Sequence, residues 1–140
     1  MVVREFESRD LVAVEEILRS YRMQPCIAPT SFVVDVNGVV AATGGIHDME
    51  GRSGWISSVA VAKSFRRKGL GTKIVQANIA YASRRGYGSV WLETYFWNVP
   101  FYRRFGFEVV RRPEVPPNVL SWRNQKHCCF MALVSPTNVA

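Results

Sequence analysis

The chain has 140 residues and a formal net charge of +7 at pH 7, with 48% hydrophobic and 21% charged residues. These proportions are typical of a folded domain, and a chain of this length buries a sizeable core. No apolar run approaches the roughly 20 residues that span a bilayer, and the first ten residues lack the shape of a secretory signal peptide. We therefore expect one domain over residues 1–140, located in the cytoplasm and without a membrane partner.

The cysteines and the excess of basic residues limit the kinds of site. Cys26, Cys128 and Cys129 are odd in number and contain no CxxC pair, so the sequence indicates reduced thiols and no metal site. The positive charge favours an anionic partner such as a nucleotide-like ligand. The basic residues are scattered along the chain, which is typical of a solvated surface.

The first part of the chain predicts a strand, a helix and three more strands. Ser8 is placed to cap a helix whose apolar residues recur at helical spacing from Leu11 to Tyr21. Asn37-Gly38 is a typical two-residue hairpin turn. The predicted strands are Val2–Phe6, Ser31–Val36, Val39–Ile46 and Trp55–Val61, with a loop over residues 22–30 and a polar turn over residues 47–54.

The second part alternates helices with strands. A helix over residues 72–85 ends at Gly86, since glycine is favoured just after a helix. The remaining predicted elements are the strand Ser89–Tyr95, a short helix Pro100–Phe105, and an antiparallel pair Phe107–Val110 and His127–Val134 joined by a proline-rich loop. The whole pattern indicates a mixed α/β fold.

The segment from Val59 to Gly71 carries the strongest functional signal. A β-branched run leads into three consecutive cations and then into two glycines, directly before the predicted helix. The first turn of a helix presents unpaired N–H groups and a positive dipole end, and glycines let a phosphate approach the backbone. Arg66, Arg67 and Lys68 add charge of the complementary sign. This segment predicts a site for a phosphorylated ligand.

Two motifs together resemble a known family. The first is Arg66-x-x-Gly69-x-Gly71, and the second, further along, is Asn98-Val-Pro-Phe-Tyr102-Arg-Arg-Phe-Gly106-Phe107. With a strand before the first motif and a helix after it, the pair resembles the GNAT superfamily of acyl-CoA-dependent N-acyltransferases over roughly residues 31 to 112. A Walker A loop and a Rossmann GxGxxG fingerprint are both absent from the sequence, which disfavours nucleoside triphosphates and dinucleotides.

The resemblance implies a fold and a cofactor site. The family fold is a twisted mixed β-sheet flanked by helices, whose splayed central strands, here Trp55–Val61 and Ser89–Tyr95, form the CoA cleft. Asn98 would bind the pantetheine arm, and Tyr102 would protonate the departing thiolate. The cofactor-binding residues implied for acetyl-CoA are Val59, Ala60, Val61, Arg66, Arg67, Lys68, Gly69, Leu70, Gly71, Thr72 and Asn98.

Each of these residues also has a purely structural interpretation. Gly69 and Gly71 could serve helix packing, and Arg66 could be an ordinary surface charge. Asn98 could be the N-cap of the short helix that follows. Tyr102 lies in an aromatic stretch and could be a core residue.

The general base is the open point of the mechanism. Many family members carry an acidic residue in the middle of the fourth strand, where this chain has Ser57 and Ser58. Glu93, in an apolar strand, is the principal candidate, because such a carboxylate must be paired or have a raised pKa. His47 is the alternative. His127 and the cysteines are interpreted as packing residues.

Together, the sequence predicts an acetyl-CoA-dependent N-acetyltransferase that acts by direct transfer, with Tyr102 and Glu93 as catalytic residues. The acceptor would be a small-molecule or peptide amine, contacted by the loops over residues 22–30, 47–54 and 113–125. The aromatic and basic residues Trp55, Trp97, Trp122 and Arg123 would permit small amines, amino acids, peptide N-termini or lysine side chains. A homodimer is also considered. The alternative function is a non-catalytic acyl-CoA-binding or regulatory module. A nucleic-acid-binding domain is disfavoured because the basic residues form no stripe.

Overall fold

The computed structural model describes residues 1–24, 26–122 and 129–136. Within them, seven strands form a sheet in the order β1-β2-β3-β4-β5-β7-β6, which confirms the predicted mixed α/β class. The strands are β1 Val2–Glu5, β2 Thr30–Val36, β3 Val39–Met49, β4 Ser53–Val61, β5 Ser89–Thr94, β6 Glu108–Val110 and β7 Cys129–Val134. The helices are α1 Leu11–Ser20, α2 Leu70–Arg85, α3 Val99–Arg103 and α4 Pro117–Leu120.

The chain divides into two compact units, of which the first comprises Met1–His47 and Ile56–Asn78. In this unit β1 and β2 are antiparallel, and β2 and β3 form the predicted hairpin. Asn37 and Gly38 both have positive φ, 52° and 85°, as the tight hairpin turn requires. The core of the unit contains Val14, Ile17, Leu18, Val33 and Ala60.

The start of α1 differs from the prediction, in which Ser8 is the capping residue. Ser8 lies inside a single 3-10 turn, Ser8–Asp10, that precedes α1. The Asp10 carboxylate accepts a hydrogen bond from the Glu7 backbone N–H at 2.8 Å. It also accepts two bonds from the Arg4 guanidinium, at 2.8 and 2.9 Å. A capping box between Glu7 and Asp10 therefore closes the turn before α1 in place of the predicted Ser8 cap, and Arg4 links Asp10 to β1.

The second unit comprises Asp48–Trp55 and the described residues from Ile79 onward. Here the start of β4 is parallel to β5, with Ser53–Trp55 opposite Ser89–Trp91. β7 is antiparallel to both β5 and β6 and lies between them. The core of this unit is formed by Met49, Trp55, Trp91, Val115, Val119, Phe130 and Ala132.

The predicted turn after β3 is corrected, and one further predicted boundary is not tested. The polar turn expected over residues 47–54 is shorter, because β3 continues to Met49 and β4 begins at Ser53, so His47 is a strand residue. β7 is described from Cys129, and the predicted start of that strand at His127 lies outside the described residues. None of the helices in the described part of the chain has the length and apolar character needed to cross a membrane. One domain over residues 1–140 stays a prediction.

Candidate active site

The predicted anion-binding loop lies between β4 and α2, within the first unit. After a 3-10 turn over Lys63–Phe65, the chain passes through Arg67 with φ 63° and Gly69 with φ 75°, and α2 begins at Leu70. A Cβ built on Gly69 meets nothing within 4 Å, so glycine serves the backbone conformation rather than packing. Gly71 lies in the first turn of α2, where the N–H groups have no acceptor inside the helix.

This loop fits a polyphosphate group. Residues 66–69 are exposed, and three of them are cations. The open space at Gly69 and the outward N–H groups of the first helical turn leave room and donors for an anion. A diphosphate ester bound here would be held by backbone amides, with the cations adding attraction.

Tyr21 connects the end of α1 to this loop. The sequence pattern indicates Tyr21 only as one of the apolar residues at helical spacing. Its hydroxyl donates to the Val61 carbonyl at 2.5 Å and accepts from Arg66 Nε at 2.9 Å. Lys63 Nζ and the Arg66 guanidinium both lie over its ring, at 5.3 and 5.2 Å from the centroid. Arg66 is therefore held against α1, and the last residue of β4 is fixed at its carbonyl.

The middle of β4 contains a backbone irregularity that the sequence pattern did not indicate. Ser58 has φ 58°, a left-handed conformation that strains a non-glycine residue by roughly 1–2 kcal/mol. Its hydroxyl donates to the Cys26 carbonyl at 2.9 Å. The neighbouring Ser57 hydroxyl is 3.1 Å from His47 Nε2. Two adjacent serines thus have different partners, one in the loop after α1 and one in β3.

The predicted catalytic residues lie in the second unit. Glu93 is half-buried in β5, with its Oε2 fully buried. Tyr102 is on α3, only 9% exposed, and its ring contacts those of Phe101 and Phe107 edge-on, with centroids 4.9 and 6.0 Å apart. Burial raises the pKa of Tyr102 well above its usual value. The phenol therefore keeps its proton throughout the neutral range.

Asn98 occupies the N-cap position of α3, but its side chain makes no capping hydrogen bond. Instead its amide donates to Thr94 Oγ1 at 3.3 Å. The remaining predicted residues are less informative. Cys129 is a half-buried thiol in β7, whereas His127 and Cys128 lie outside the described residues. Within residues 1–24, 26–122 and 129–136, no cluster of three or more metal-ligating side chains is found.

Residues 2–107 match the acetyltransferase (GNAT) family, a range that includes the loop before α2, Glu93, Asn98 and Tyr102. The chain belongs to the GNAT acetyltransferase family. This confirms the resemblance carried by the two motifs. An uncharacterised N-acetyltransferase from Chlorobaculum tepidum is 30% identical over 97 residues, which are 69% of this chain and 60% of that protein.

Further GNAT relatives agree in sequence and in fold. N-alpha-acetyltransferase 30 of Schizosaccharomyces pombe is 33% identical over 73 residues, covering 50% of this chain and 49% of that protein. The matches thus span 49% to 60% of the length of these two curated relatives. A Mycobacterium tuberculosis protein crystallised in complex with CoA has a TM-score of 0.77 at 20% identity, over 96% of this chain and 99% of that one. This likeness shows the GNAT fold.

Proposed function

We propose that this protein is an acetyl-CoA-dependent N-acetyltransferase that acetylates a primary amine by direct attack in a ternary complex. The observation that carries the proposal is the loop from Arg66 to Thr72. It joins three exposed cations to a positive-φ glycine and to the N-terminus of a 16-residue helix. Family membership, two relatives named N-acetyltransferases and a structural neighbour with CoA support it.

Binding of acetyl-CoA would use the backbone of the first unit. The N–H groups of Leu70, Gly71 and Thr72 would donate to the pyrophosphate. The end of β4, Val59–Val61, would pair through its main chain with the pantetheine arm, as an added strand pairs with a sheet edge. The contacts of Tyr21 with Val61 and Arg66 hold both parts in place before the ligand arrives. Asn98 would complete the pantetheine contacts.

The chemistry requires a neutral amine, a stabilised oxyanion and a protonated leaving group. The amine nitrogen attacks the thioester carbonyl, and a backbone N–H near Val61 would stabilise the developing oxyanion. As the C–S bond breaks, the Tyr102 hydroxyl would give its proton to the thiolate sulfur. A tyrosine hydroxyl with its usual pKa of about 10 already holds this proton at neutral pH, and burial, which raises the pKa of Tyr102, leaves that unchanged.

Two side chains are candidates for the base that removes the ammonium proton. Glu93 lies in β5 with its carboxylate oxygen Oε2 buried. His47 lies in β3 with Nε2 3.1 Å from the hydroxyl of Ser57, one of the two serines at the position in β4 where the family resemblance implies an acidic residue. We assign Glu93 as the base and keep His47 as the alternative.

A thiol-release assay tests this proposal. Purified protein with acetyl-CoA is supplied with small amines, amino acids, lysine peptides and peptides with free N-termini, and the acetylated product is identified by mass spectrometry. The relative named an N-alpha-acetyltransferase makes peptide N-termini the first class to test. We expect amine-dependent CoA release. CoA-induced thermal stabilisation without turnover on any amine would favour the non-catalytic acyl-CoA-binding alternative.

A further inference from the structure

Three consecutive aromatic residues, Tyr95, Phe96 and Trp97, form an exposed patch directly after β5. These residues are 45%, 67% and 60% exposed. Since an aromatic side chain has about 150–250 Å² of surface, the three together leave roughly 300–400 Å² of contiguous apolar surface in water. A patch of that size is comparable to the largest apolar patch on a typical monomer, which is often functional. We call it the aromatic platform.

The aromatic platform is rigid. The Tyr95 and Trp97 rings are stacked, with centroids 4.5 Å apart and planes 7° from parallel, and Phe96 meets Trp97 edge-on at 5.2 Å. The turn beneath them is a 3-10 turn closed by a bond from the Asn98 N–H to the Tyr95 carbonyl at 3.0 Å. The Asn98 side chain also donates to Thr94. A surface ordered before binding loses little conformational freedom when a ligand arrives.

The position of the aromatic platform in the chain links it to the reaction. It begins two residues after Glu93, ends one residue before Asn98, and is followed by Tyr102 on α3. All these residues belong to the second unit. The aromatic platform therefore occupies the segment that joins the proposed base to the proposed acid.

We propose that the aromatic platform binds the acceptor and selects amines that carry an aromatic group close to the amino nitrogen. This inference rests on the proposed function and deepens it. Aromatic rings pack well against the open faces and edges of a stacked pair. A neutral aromatic group is therefore the acceptor feature that these ring faces contact best.

The test compares matched acceptors and matched variants. For the wild-type protein we expect kcat/KM to be about 10-fold or more higher with 2-phenylethylamine than with butylamine, and higher with a Phe-initiated than with an Ala-initiated peptide. Trp97→Ala should remove most of this preference by raising the KM of the aromatic acceptor, while the KM of acetyl-CoA stays unchanged. Trp97→Phe, which keeps an aromatic ring at this position, should keep the preference for the aromatic acceptor.

Val134→Ala is the control, because Val134 is another exposed apolar residue of the second unit and should leave both values unchanged. Equal kcat/KM for both acceptors, or a preference that survives Trp97→Ala, would overturn the inference while leaving the N-acetyltransferase function intact. Sedimentation velocity distinguishes acceptor binding from self-association. If Trp97→Ala dissociates a dimer without altering acceptor preference, the aromatic platform is a self-association surface instead. Absence of turnover with every amine would count against the proposed function itself.

Discussion

At the scale of single residues, Tyr102 has a hydroxyl at the end of a ring that is held on two sides by other rings. Phe101 and Phe107 fix the ring, and burial keeps the phenol protonated by raising its pKa. The ring packing does not depend on the hydroxyl, so the two contributions are separable by one substitution.

We expect Tyr102→Phe to keep the fold and the affinity for CoA while lowering kcat by roughly 10- to 10⁴-fold, the effect of losing a general acid. Steady-state kinetics and thermal unfolding with and without CoA measure both properties. Tyr81→Phe is the matched control, since Tyr81 also packs edge-on against another ring, that of Tyr87. A Tyr102→Phe protein that loses stability but keeps kcat would make Tyr102 a core residue.

Glu93→Gln tests the base. The variant keeps the shape of the side chain and removes the negative charge. We expect kcat/KM to fall at neutral pH and to recover as the pH rises towards the pKa of the acceptor amine, because free neutral amine then needs no base. The pH–rate profile is the measurement, with Glu108→Gln, an exposed carboxylate near Arg103, as the control. A profile that superimposes on wild type would transfer the role to His47.

A feature of the site can be predicted from the sequence when one residue type by itself specifies that feature. Gly69 and the cations beside it are visible in the sequence because glycine and charge carry the information themselves. The sequence does not show the left-handed conformation of Ser58 or the two hydrogen bonds of the Tyr21 hydroxyl. Both depend on partners far along the chain, and serine and tyrosine occur in many other settings.

At the scale of elements, the start of α1 depends on an ion pair between β1 and the turn before the helix. Asp10 is 3% exposed and bonds both terminal nitrogens of Arg4, which also bonds Asp35 at 3.2 Å. The hydrogen bonds from Arg4 hold the pKa of the Asp10 carboxyl below its usual value of 3.8. A carboxyl whose pKa is lower in the folded than in the unfolded protein stabilises the fold at any pH above its pKa in the unfolded chain. This contribution is lost as the pH falls through its pKa in the folded protein.

We therefore expect Asp10→Asn to destabilise the protein at pH 7 by roughly 1–3 kcal/mol, because it removes one partner of a buried charge pair. The difference from wild type should shrink as the pH falls below about 4, the pKa of an unfolded carboxyl, and should disappear once the pH is below the lowered pKa of folded Asp10. Urea unfolding across that range is the measurement. Glu15→Gln, which breaks the exposed pair with Arg19, should cost less than about 0.5 kcal/mol. A pH-independent difference would contradict the ion-pair explanation.

The two ends of α2 offer a matched pair of glycines. Gly69 precedes the helix and Gly86 follows it, with φ of 75° and 72°. Alanine at either position should cost about 1 kcal/mol of stability, since both backbones are left-handed. A Cβ at Gly86 meets only the flexible end of Arg52, at 3.1 Å.

Only Gly69→Ala should also weaken CoA binding, by about 10-fold or more, because it disturbs the N–H groups that face the pyrophosphate. Calorimetric titration of CoA into both variants distinguishes these effects. Equal CoA affinity in the two proteins would place the pyrophosphate elsewhere.

The bounds of the elements show which features are local. Gly86 ends α2 as predicted, and Asn37-Gly38 forms the predicted turn, because these residues favour positive φ by themselves. The Glu7–Asp10 capping box is local and was missed because Ser8 is also a favoured capping residue; only the bond from Arg4 to Asp10 depends on another element. β3 was predicted too short because its last residues, His47 and Asp48, are polar although they continue the strand.

At the scale of the whole molecule, the net charge of +7 acts on any anionic ligand. Long-range attraction raises the rate of encounter and is screened by salt, since the Debye length is roughly 10 Å at 0.1 M ionic strength. We expect the KM of acetyl-CoA to rise several-fold between low and high NaCl while kcat changes little. Acetyl-dephospho-CoA, which lacks one phosphate, should respond less. A salt-independent KM would mean that only local contacts hold the ligand.

The position of β7 has a consequence for how the chain must be assembled. β7 pairs with both β5 and β6, yet it is made after both of them. During synthesis, the edges of β5 and β6 that pair with β7 therefore have unpaired backbone N–H and C=O groups until β7 is made, and these groups can pair with other chains. A message that terminates early, anywhere between residues 111 and 128, would yield an aggregating product rather than a smaller stable protein. Folding of the second unit is thus a late event, committed only when residues 129–134 become available.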